Sequence, residues 1–226
     1  MGAHPSAAPP ARGRPAEPAL RARARRLRAG GGWPTLAAVP ILRSATDPRW
    51  VEVALSDLDA TLADHAHCEK KAVATALKLV ADHPDLPALV RPLARLAQEE
   101  LQHFLAMIAE VERRGGTLPP DPGDPYVQGL LRLVKGDAFR LVDQLLVGAL
   151  IEARSCERMK LLGERLPEER LRELYRRLAQ SEEGHELLFV QLAVEVGGPA
   201  ALARLDALAE AEARLVAGLP LLPRMH

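Results

Sequence analysis

The pattern of hydrophobic and polar positions in this chain favours helices and gives no sign of a sheet. Hydrophobic residues make up 48% of the 226 positions, and no stretch shows the alternation of β-branched residues that is typical of strands. Ala, Leu, Arg and Glu, all good helix formers, dominate the stretches between Pro and Gly breaks. The sequence therefore predicts an all-α fold with four long helices, over Ser56–Asp82, Pro87–Arg114, Asp137–Glu164 and Pro167–Val196.

The breaks between these helices predict how they are connected. Short links at His83–Asp85 and Leu166–Glu168 join the first helix to the second and the third to the fourth, so each pair forms a hairpin. A Pro/Gly-rich segment, Thr117–Pro125, and a possible short helix, Tyr126–Lys135, separate the two hairpins. This order is typical of a four-helix bundle with a long crossover between helices two and three. An extra C-terminal helix is expected to end near Gly218.

The first 45 residues differ in composition from the rest and are expected to form a disordered or loosely ordered Arg/Pro/Ala-rich tail. Within residues 1–30, seven arginines face one acidic residue, Glu17, which leaves a charge of +6 there and −6 over the remainder. We interpret this stretch as a non-functional extension rather than a basic arm for nucleic acid, because it has no interleaved aromatic residues for stacking. The helical domain is expected over 46–218, with Asp47 as the cap of its first helix.

The sequence also indicates a cytoplasmic protein without a membrane segment. No apolar run approaches the ~20 residues that span a bilayer. The arginine-rich start lacks the hydrophobic core of a secretion signal. Two cysteines, Cys68 and Cys156, suit a reducing compartment, and we interpret them as small buried residues rather than metal ligands.

Two Glu-x-x-His pairs are the most informative chemical feature of the chain. They are Glu100–His103 and Glu182–His185, and residues three apart lie on one face of a helix. A lone glutamate, Glu69 or Glu152, precedes each pair by about thirty residues. Between the two halves the offset is 83 residues for the lone glutamates and 82 residues for the pairs, which indicates a repeated helical hairpin.

Hairpin lengths bring each lone glutamate level with a Glu-x-x-His pair. About 13 residues, or ~20 Å of helix, separate Glu69 from its turn, and a similar length separates that turn from Glu100. Ala149 and Cys156 place Glu152 on a stripe of small apolar residues, where a carboxylate is costly unless it is paired or binds a metal. Four carboxylates and two imidazoles in a helical bundle are suited to two iron or manganese ions. The predicted ligands are Glu69, Glu100, His103, Glu152, Glu182 and His185.

The segments around the two lone glutamates resemble a known family. Asp64–Ala72 and Leu145–Arg158 closely resemble the bacterial tRNA 2-methylthio-isopentenyladenosine hydroxylases, and the similarity extends from about Thr46 to Val196. The resemblance implies a ferritin-like non-haem di-iron monooxygenase in which the same six residues act as catalytic ligands. It also implies a reaction: two iron ions and O2 would hydroxylate the isopentenyl side chain of the hypermodified adenosine next to the tRNA anticodon.

The resemblance further implies two partners and leaves two regions without a match. The partners are the tRNA substrate and a reductase or ferredoxin that supplies electrons, since no flavin or nicotinamide motif is found in the chain. A monomer is favoured. The arginine-rich tail lies outside the family pattern, and residues 117–135 are not matched, so their contribution to substrate binding stays open.

Further predictions concern residues beside the ligands. Substrate contacts are expected at Lys70, Lys71, Arg154 and Arg158, although ordinary solvated helix charges would explain these residues equally well. Glu99 is predicted either to orient a ligand histidine from the facing helix or to be exposed to solvent. His65, four residues before Glu69, could approach the site, but an ordinary core or surface histidine is the favoured interpretation.

Two other functions remain as alternatives to the tRNA hydroxylase. One is a ferritin-like or rubrerythrin-like protein that oxidises and stores iron or reduces peroxide. Its electron relay is not evident, because two isolated cysteines do not provide the paired Cys-x-x-Cys motifs of a rubredoxin site. The other is a non-enzymatic helical interaction protein, in which six level ligands would be a coincidence.

Overall fold

Seven helices and no strand are found in residues 41–136 and 139–226, the part of the chain that the computed structural model describes. Each predicted long helix is present with both ends within three residues of the expected position, and the all-α class is confirmed. The helices are α1 Trp50–Ser56, α2 Leu58–Asp82, α3 Pro87–Arg113, α4 Pro125–Leu131, α5 Arg140–Arg165, α6 Glu169–Gly197 and α7 Ala200–Gly218.

Local sequence explains where several helices begin and end. The Asp57 carboxylate caps α2 by accepting a hydrogen bond from the backbone N–H of Ala60 at 3.0 Å. Pro87 and Pro125 stand in the first turns of α3 and α4, where the missing N–H has no helical partner to lose. Gly198 follows α6 with φ at 68°, a left-handed conformation that glycine adopts without strain.

The long helices form two hairpins, as the short links predict. α2 packs along α3, α5 packs along α6, and α3 contacts α6 between the hairpins. The short helices α1 and α4 and the last helix α7 all contact α5 and cover that side of the bundle. The crossover between α3 and α5 therefore places α4 against the bundle.

Two hydrophobic clusters fill the bundle, one on each side of a polar layer. One cluster includes Leu79 of α2, Leu93 of α3 and Phe189 of α6. The other includes Leu62 of α2 and Met107 of α3. The six predicted ligands occupy the positions between these clusters on the same helices. This layering surrounds the ligands with apolar side chains above and below.

The short elements differ from their predicted bounds. α4 covers Pro125–Leu131 instead of Tyr126–Lys135. Asp47 does not cap a helix, because α1 begins only at Trp50 and the Asp47 carboxylate binds the Arg49 side chain. The helical conformation is interrupted at Asp57, so the first predicted long helix, α2, is preceded by the separate short helix α1.

The ends of the helical domain also differ from expectation. Residues 1–40 of the predicted tail lie outside the described residues. Residues 41–45 pack on the bundle: Ile41 is buried in the core, and Arg43 pairs with Asp206. After α7, residues 219–226 also belong to the domain, because Met225 is buried and its backbone N–H donates to Asp64 Oδ2 at 2.8 Å. Among the described helices, none is long and apolar enough to cross a membrane.

Candidate metal centre

The bundle brings all six predicted ligands together in its polar layer. Their donor atoms form two groups, and within each group all donors lie within 4.8 Å of one another. One group holds Glu69 and His103, and the other holds Glu152 and His185. Glu100 and Glu182 belong to both groups. Two overlapping groups that share Glu100 and Glu182 could hold a pair of metal ions.

Distances within the layer repeat the internal symmetry of the sequence. Nδ1 of His103 lies 3.0 Å from Glu182 and 3.3 Å from Glu100. Nδ1 of His185 lies 2.8 Å from Glu100 and 3.0 Å from Glu182. Each imidazole thus faces both shared carboxylates. Glu69 approaches the first histidine at 3.8 Å, so it completes the His103 half of the site.

Burial makes this cluster of charged groups unfavourable in free energy unless a cation is bound. Glu100 and Glu182 have side chains only 1% exposed, whereas His103 is 13% exposed. Both Glu100 carboxylate oxygens, Glu182 Oε1 and His103 Nδ1 are buried, and their contacts lack hydrogen-bond geometry. Buried polar atoms without such partners cost free energy. Oxygen and imidazole donors left in this way match the ligand preferences of iron and manganese, so the residues fit a di-metal centre.

The pKa values in the cluster reflect the same crowding of carboxylates. Burial raises the pKa of Glu69 and of Glu152 well above the usual range. Burial would lower the pKa of both histidines, but the short contacts to the surrounding carboxylates outweigh it. They raise the pKa of His103 to about 12 and that of His185 to about 11. Protons therefore balance the four carboxylates where metal ions are not bound.

Two further residues hold ligands in place. Glu99 Oε2 lies 2.9 Å from Nε2 of His185, so it fixes this ring from the facing helix, one of the two predicted roles. His65 Nε2 lies 2.6 Å from Glu69 Oε1, one helical turn away, and both side chains are buried. His65 is therefore not an ordinary core histidine, because it contacts a predicted ligand directly.

Tyr175 belongs to the same network and was not predicted. Its hydroxyl lies 3.0 Å from Nδ1 of His65, and both side chains are fully buried. Tyr175 stands seven residues before Glu182, which puts it two turns away on the same face of α6. That spacing was the only sequence signal that could have indicated it.

The four predicted substrate contacts fall into two groups. Lys70 and Lys71 lie partly exposed on α2, within 3.9 and 3.6 Å of Asp121, and their role in substrate binding stays a prediction. Arg154 is fully buried and binds Glu212, so its predicted place on a substrate cleft is wrong. Arg158 is buried over the Trp50 ring, donates to the carbonyl of Met225 and lines a cavity of about 480 Å³, so its role in substrate binding stays a prediction.

Both cysteines stay outside the two ligand groups. Cys156 is buried and donates to the carbonyl of Ala179 at 3.4 Å, which agrees with the prediction of a small buried residue. Cys68 is partly buried and lies beside Asp64, on the side of α2 that faces residues 219–226.

The fold and the six-residue cluster define a ferritin-like helical bundle with a candidate carboxylate and imidazole site for two metals. The chain belongs to the tRNA-(MS[2]IO[6]A)-hydroxylase (MiaE) family, whose model matches residues 34–226.

Similar proteins support this assignment. A tRNA 2-(methylsulfanyl)-N(6)-isopentenyladenosine(37) hydroxylase from Pseudomonas putida is 42% identical over 160 residues, which cover 70% of this chain and 78% of the relative. The protein of the same name from Salmonella typhimurium is 28% identical over 225 residues, and the match covers 77% of this chain and 83% of the relative. A solved structure, protein 43 with aldehyde deformylating oxygenase activity from Synechococcus, superposes with a TM-score of 0.78. The two sequences are 39% identical, and the superposition covers 83% of this chain and 96% of the Synechococcus chain.

Proposed function

We propose that this protein is an O2-dependent di-iron monooxygenase that hydroxylates the isopentenyl side chain of the hypermodified adenosine next to the tRNA anticodon. The observation that carries the proposal is the pair of donor groups sharing Glu100 and Glu182, in a chain that belongs to the tRNA hydroxylase family. The same modified adenosine appears in the names of the Pseudomonas and Salmonella relatives.

The six ligands would divide between the two ions as their distances suggest. Glu69 and His103 would hold one iron, Glu152 and His185 would hold the other, and Glu100 and Glu182 would contact both. Bound iron supplies the activation of O2 and the transfer of one oxygen atom to carbon. The reaction consumes one O2, two electrons and two protons, and it yields the alcohol and one water molecule. An external donor, a reductase or ferredoxin, would therefore supply two electrons per turnover.

The residues around the ligands would keep this chemistry ordered. Glu99 accepts the Nε2 proton of His185, which leaves Nδ1 free to bind metal. On α2, His65 contacts one oxygen of Glu69, and the Tyr175 hydroxyl of α6 holds the His65 ring in turn. The hydrophobic clusters on both sides of the layer exclude bulk water from it.

Access to the site is most direct beside His103, whose side chain is 13% exposed. The side chains that contact it, those of Glu69, Glu100 and Glu182, are at most 5% exposed. Lys70 on α2 is a predicted substrate contact with a partly exposed side chain, and its positive charge would attract tRNA phosphates; the side chain of Lys71 is also partly exposed, but its Nζ is buried. A tRNA substrate implies work in the cytoplasm, and we propose a monomer as the acting form.

A nucleoside assay tests the proposal. The purified protein is loaded with iron(II) and incubated with isopentenylated tRNA, O2 and a reductant. The tRNA is then digested, and the masses of its nucleosides are measured by mass spectrometry. The expected product gains one oxygen atom. Glu182→Gln should abolish this gain, whereas Glu183→Gln, an exposed neighbour on the same helix, should preserve it.

Two other results would overturn the proposal. Iron that is oxidised and retained in bulk, without any hydroxylated nucleoside, would favour the storage alternative. Consumption of an aliphatic aldehyde under the same conditions, again without nucleoside product, would favour the activity named for the Synechococcus protein.

A further inference from the structure

A second group of metal-binding side chains lies outside the di-metal layer. Cys68 of α2, Asp124 before α4 and His226 after α7 place Sγ, a carboxylate oxygen and an imidazole nitrogen within 4.8 Å of one another. None of the three residues belongs to the six ligands. The side chains of His226 and Asp124 are only 2% and 6% exposed. Three different donor types from three separate segments thus meet in a largely buried place.

Distances between these donors match those of ligands on one tetrahedral ion. Bonds of ~2.3 Å to sulfur and ~2.0 Å to nitrogen and oxygen put the sulfur about 3.5 Å from the nitrogen, and the nitrogen about 3.3 Å from the oxygen. In the structure, Cys68 Sγ lies 3.6 Å from His226 Nδ1. His226 Nδ1 lies 3.2 Å from Asp124 Oδ2. Two of the three distances between donors are thus those that a zinc-like ion requires, and the sulfur and the carboxylate oxygen lie within 4.8 Å of each other.

Neighbouring groups hold two of the three donors, His226 and Asp124, in place. Ser155 Oγ lies 2.8 Å from Nε2 of His226 and can accept its proton, which leaves Nδ1 free to bind metal. The N–H of Val127 donates to Asp124 Oδ1 at 3.1 Å, so Oδ2 is the oxygen that remains for an ion. The ring of Tyr126 stacks on the His226 ring at 5.1 Å and fixes its plane. Metal-binding histidines are commonly held in this way by surrounding groups.

Charges nearby are compatible with a cation. Asp64 Oδ2 lies 3.8 Å from Cys68 Sγ and provides a second carboxylate beside the thiol. Two ammonium groups lie on the next residues of α2: Lys70 Nζ lies 2.8 Å from His67 Nδ1, and the buried Lys71 Nζ lies 3.6 Å from Asp121 Oδ2 without a hydrogen bond. Asp64 also accepts the N–H of Met225, so it holds the segment that carries His226 in place.

We propose that Cys68 Sγ, Asp124 Oδ2 and His226 Nδ1 form a separate site for one zinc-like divalent ion. The ion would fasten residues 219–226 and the start of α4 to α2, next to the predicted ligand Glu69. Thiolate, imidazole and carboxylate together suit zinc better than calcium or magnesium, which prefer oxygen ligands alone. This site is independent of the proposed hydroxylase reaction.

Cobalt(II) tests the proposal because it replaces zinc and reports sulfur ligands by colour. A thiolate bound to cobalt gives a charge-transfer band in the near ultraviolet. The six ligands of the di-metal layer contain no sulfur, so cobalt bound there gives no such band. Titration of the full chain to saturation should therefore produce a band with the intensity of one thiolate-bound cobalt per chain, whatever cobalt the di-metal layer also takes up, and excess zinc should remove it.

Variants assign the band to this site. Cys68→Ser and His226→Gln should each lose it or weaken cobalt binding at least tenfold, whereas Cys156→Ser should keep it unchanged. Circular dichroism of each variant verifies that the helices are formed, and two variants in different segments guard against one that fails to fold. Absence of the band in the parent chain, its survival in Cys68→Ser, or its loss in Cys156→Ser alone would overturn the proposal.

Discussion

Arg154 of α5 and Glu212 of α7 form a salt bridge of 2.9 Å with both side chains fully buried. The same guanidinium donates to Thr46 Oγ1, to Glu157 and to the carbonyl of Ser44. Every part of the arginine is thus occupied by the protein itself. The bridge ties the last helix and the segment before α1 to the bundle.

Removing the partner of this arginine should destabilise the fold strongly. Glu212→Ala leaves a buried guanidinium without its main counter-charge, and breaking such a pair costs about 3–5 kcal/mol. The free energy of unfolding in urea measures the effect. Glu210→Ala serves as a control on the same helix, because the pair of Glu210 with Arg214 is mostly exposed and should leave the midpoint almost unchanged. Equal shifts for the two variants would contradict a structural role for the buried bridge.

Glu99 should matter for metal affinity rather than for stability. Glu99→Gln weakens the hold on Nε2 of His185, and loss of such a supporting contact lowers metal affinity by roughly 10–100-fold. A loss of affinity near tenfold is expected because the Glu99 side chain is mostly exposed. Iron(II) or manganese(II) titrations of the parent and the variant provide the measurement. Gln98→Ala, at the exposed neighbouring position, should bind as the parent does, and an unchanged affinity in Glu99→Gln would show that the contact has no effect on metal binding.

Two glycines should respond in opposite directions to the same substitution. A Cβ at Gly148 would lie 3.0 Å from the ring of Phe189, so Gly148→Ala should cost about 1–3 kcal/mol through overpacking. A Cβ at Gly184 meets nothing within 4 Å, so Gly184→Ala should stabilise α6 by up to about 1 kcal/mol through helix propensity. Thermal unfolding of both variants compares the signs. A stable Gly148→Ala protein would mean that the Phe189 ring moves away easily.

Acid should weaken the contact between α5 and α7 through Asp143. Burial would raise the pKa of Asp143, but the Arg204 guanidinium and the N–H of Lys135 outweigh it and hold the pKa below its usual range. A lowered pKa gives stability that is present above the unfolded value of ~3.9 and is lost as pH falls below it. The difference in unfolding free energy between the parent and Asp143→Asn should therefore shrink between about pH 5 and pH 3. If the difference in unfolding free energy between the two proteins did not change with pH over this range, the ionised Asp143 would not stabilise the contact between α5 and α7.

The sequence predicted the bundle and its ligand layer because both depend on regular helices. A spacing of three residues puts Glu182 and His185 on one face, and equal arm lengths bring Glu69 level with Glu100. Neither inference needs knowledge of any contact between distant side chains. The same logic identified Glu99 as a candidate to support a histidine of the facing helix, and the structure contains that contact.

Other features depended on how the short elements pack, which helical spacing does not determine. Arg154 has the sequence setting of a surface charge, but α7 and the segment before α1 close over it and supply Glu212 and Ser44 as partners. Cys68 and His226 stand 158 positions apart and meet only because residues 219–226 return along α2. The chain itself thus determined the helices and the meeting of the six predicted ligands, through local periodicity. Tertiary structure alone decided which charges are buried and which donors meet outside the layer, because long-range packing sets those distances.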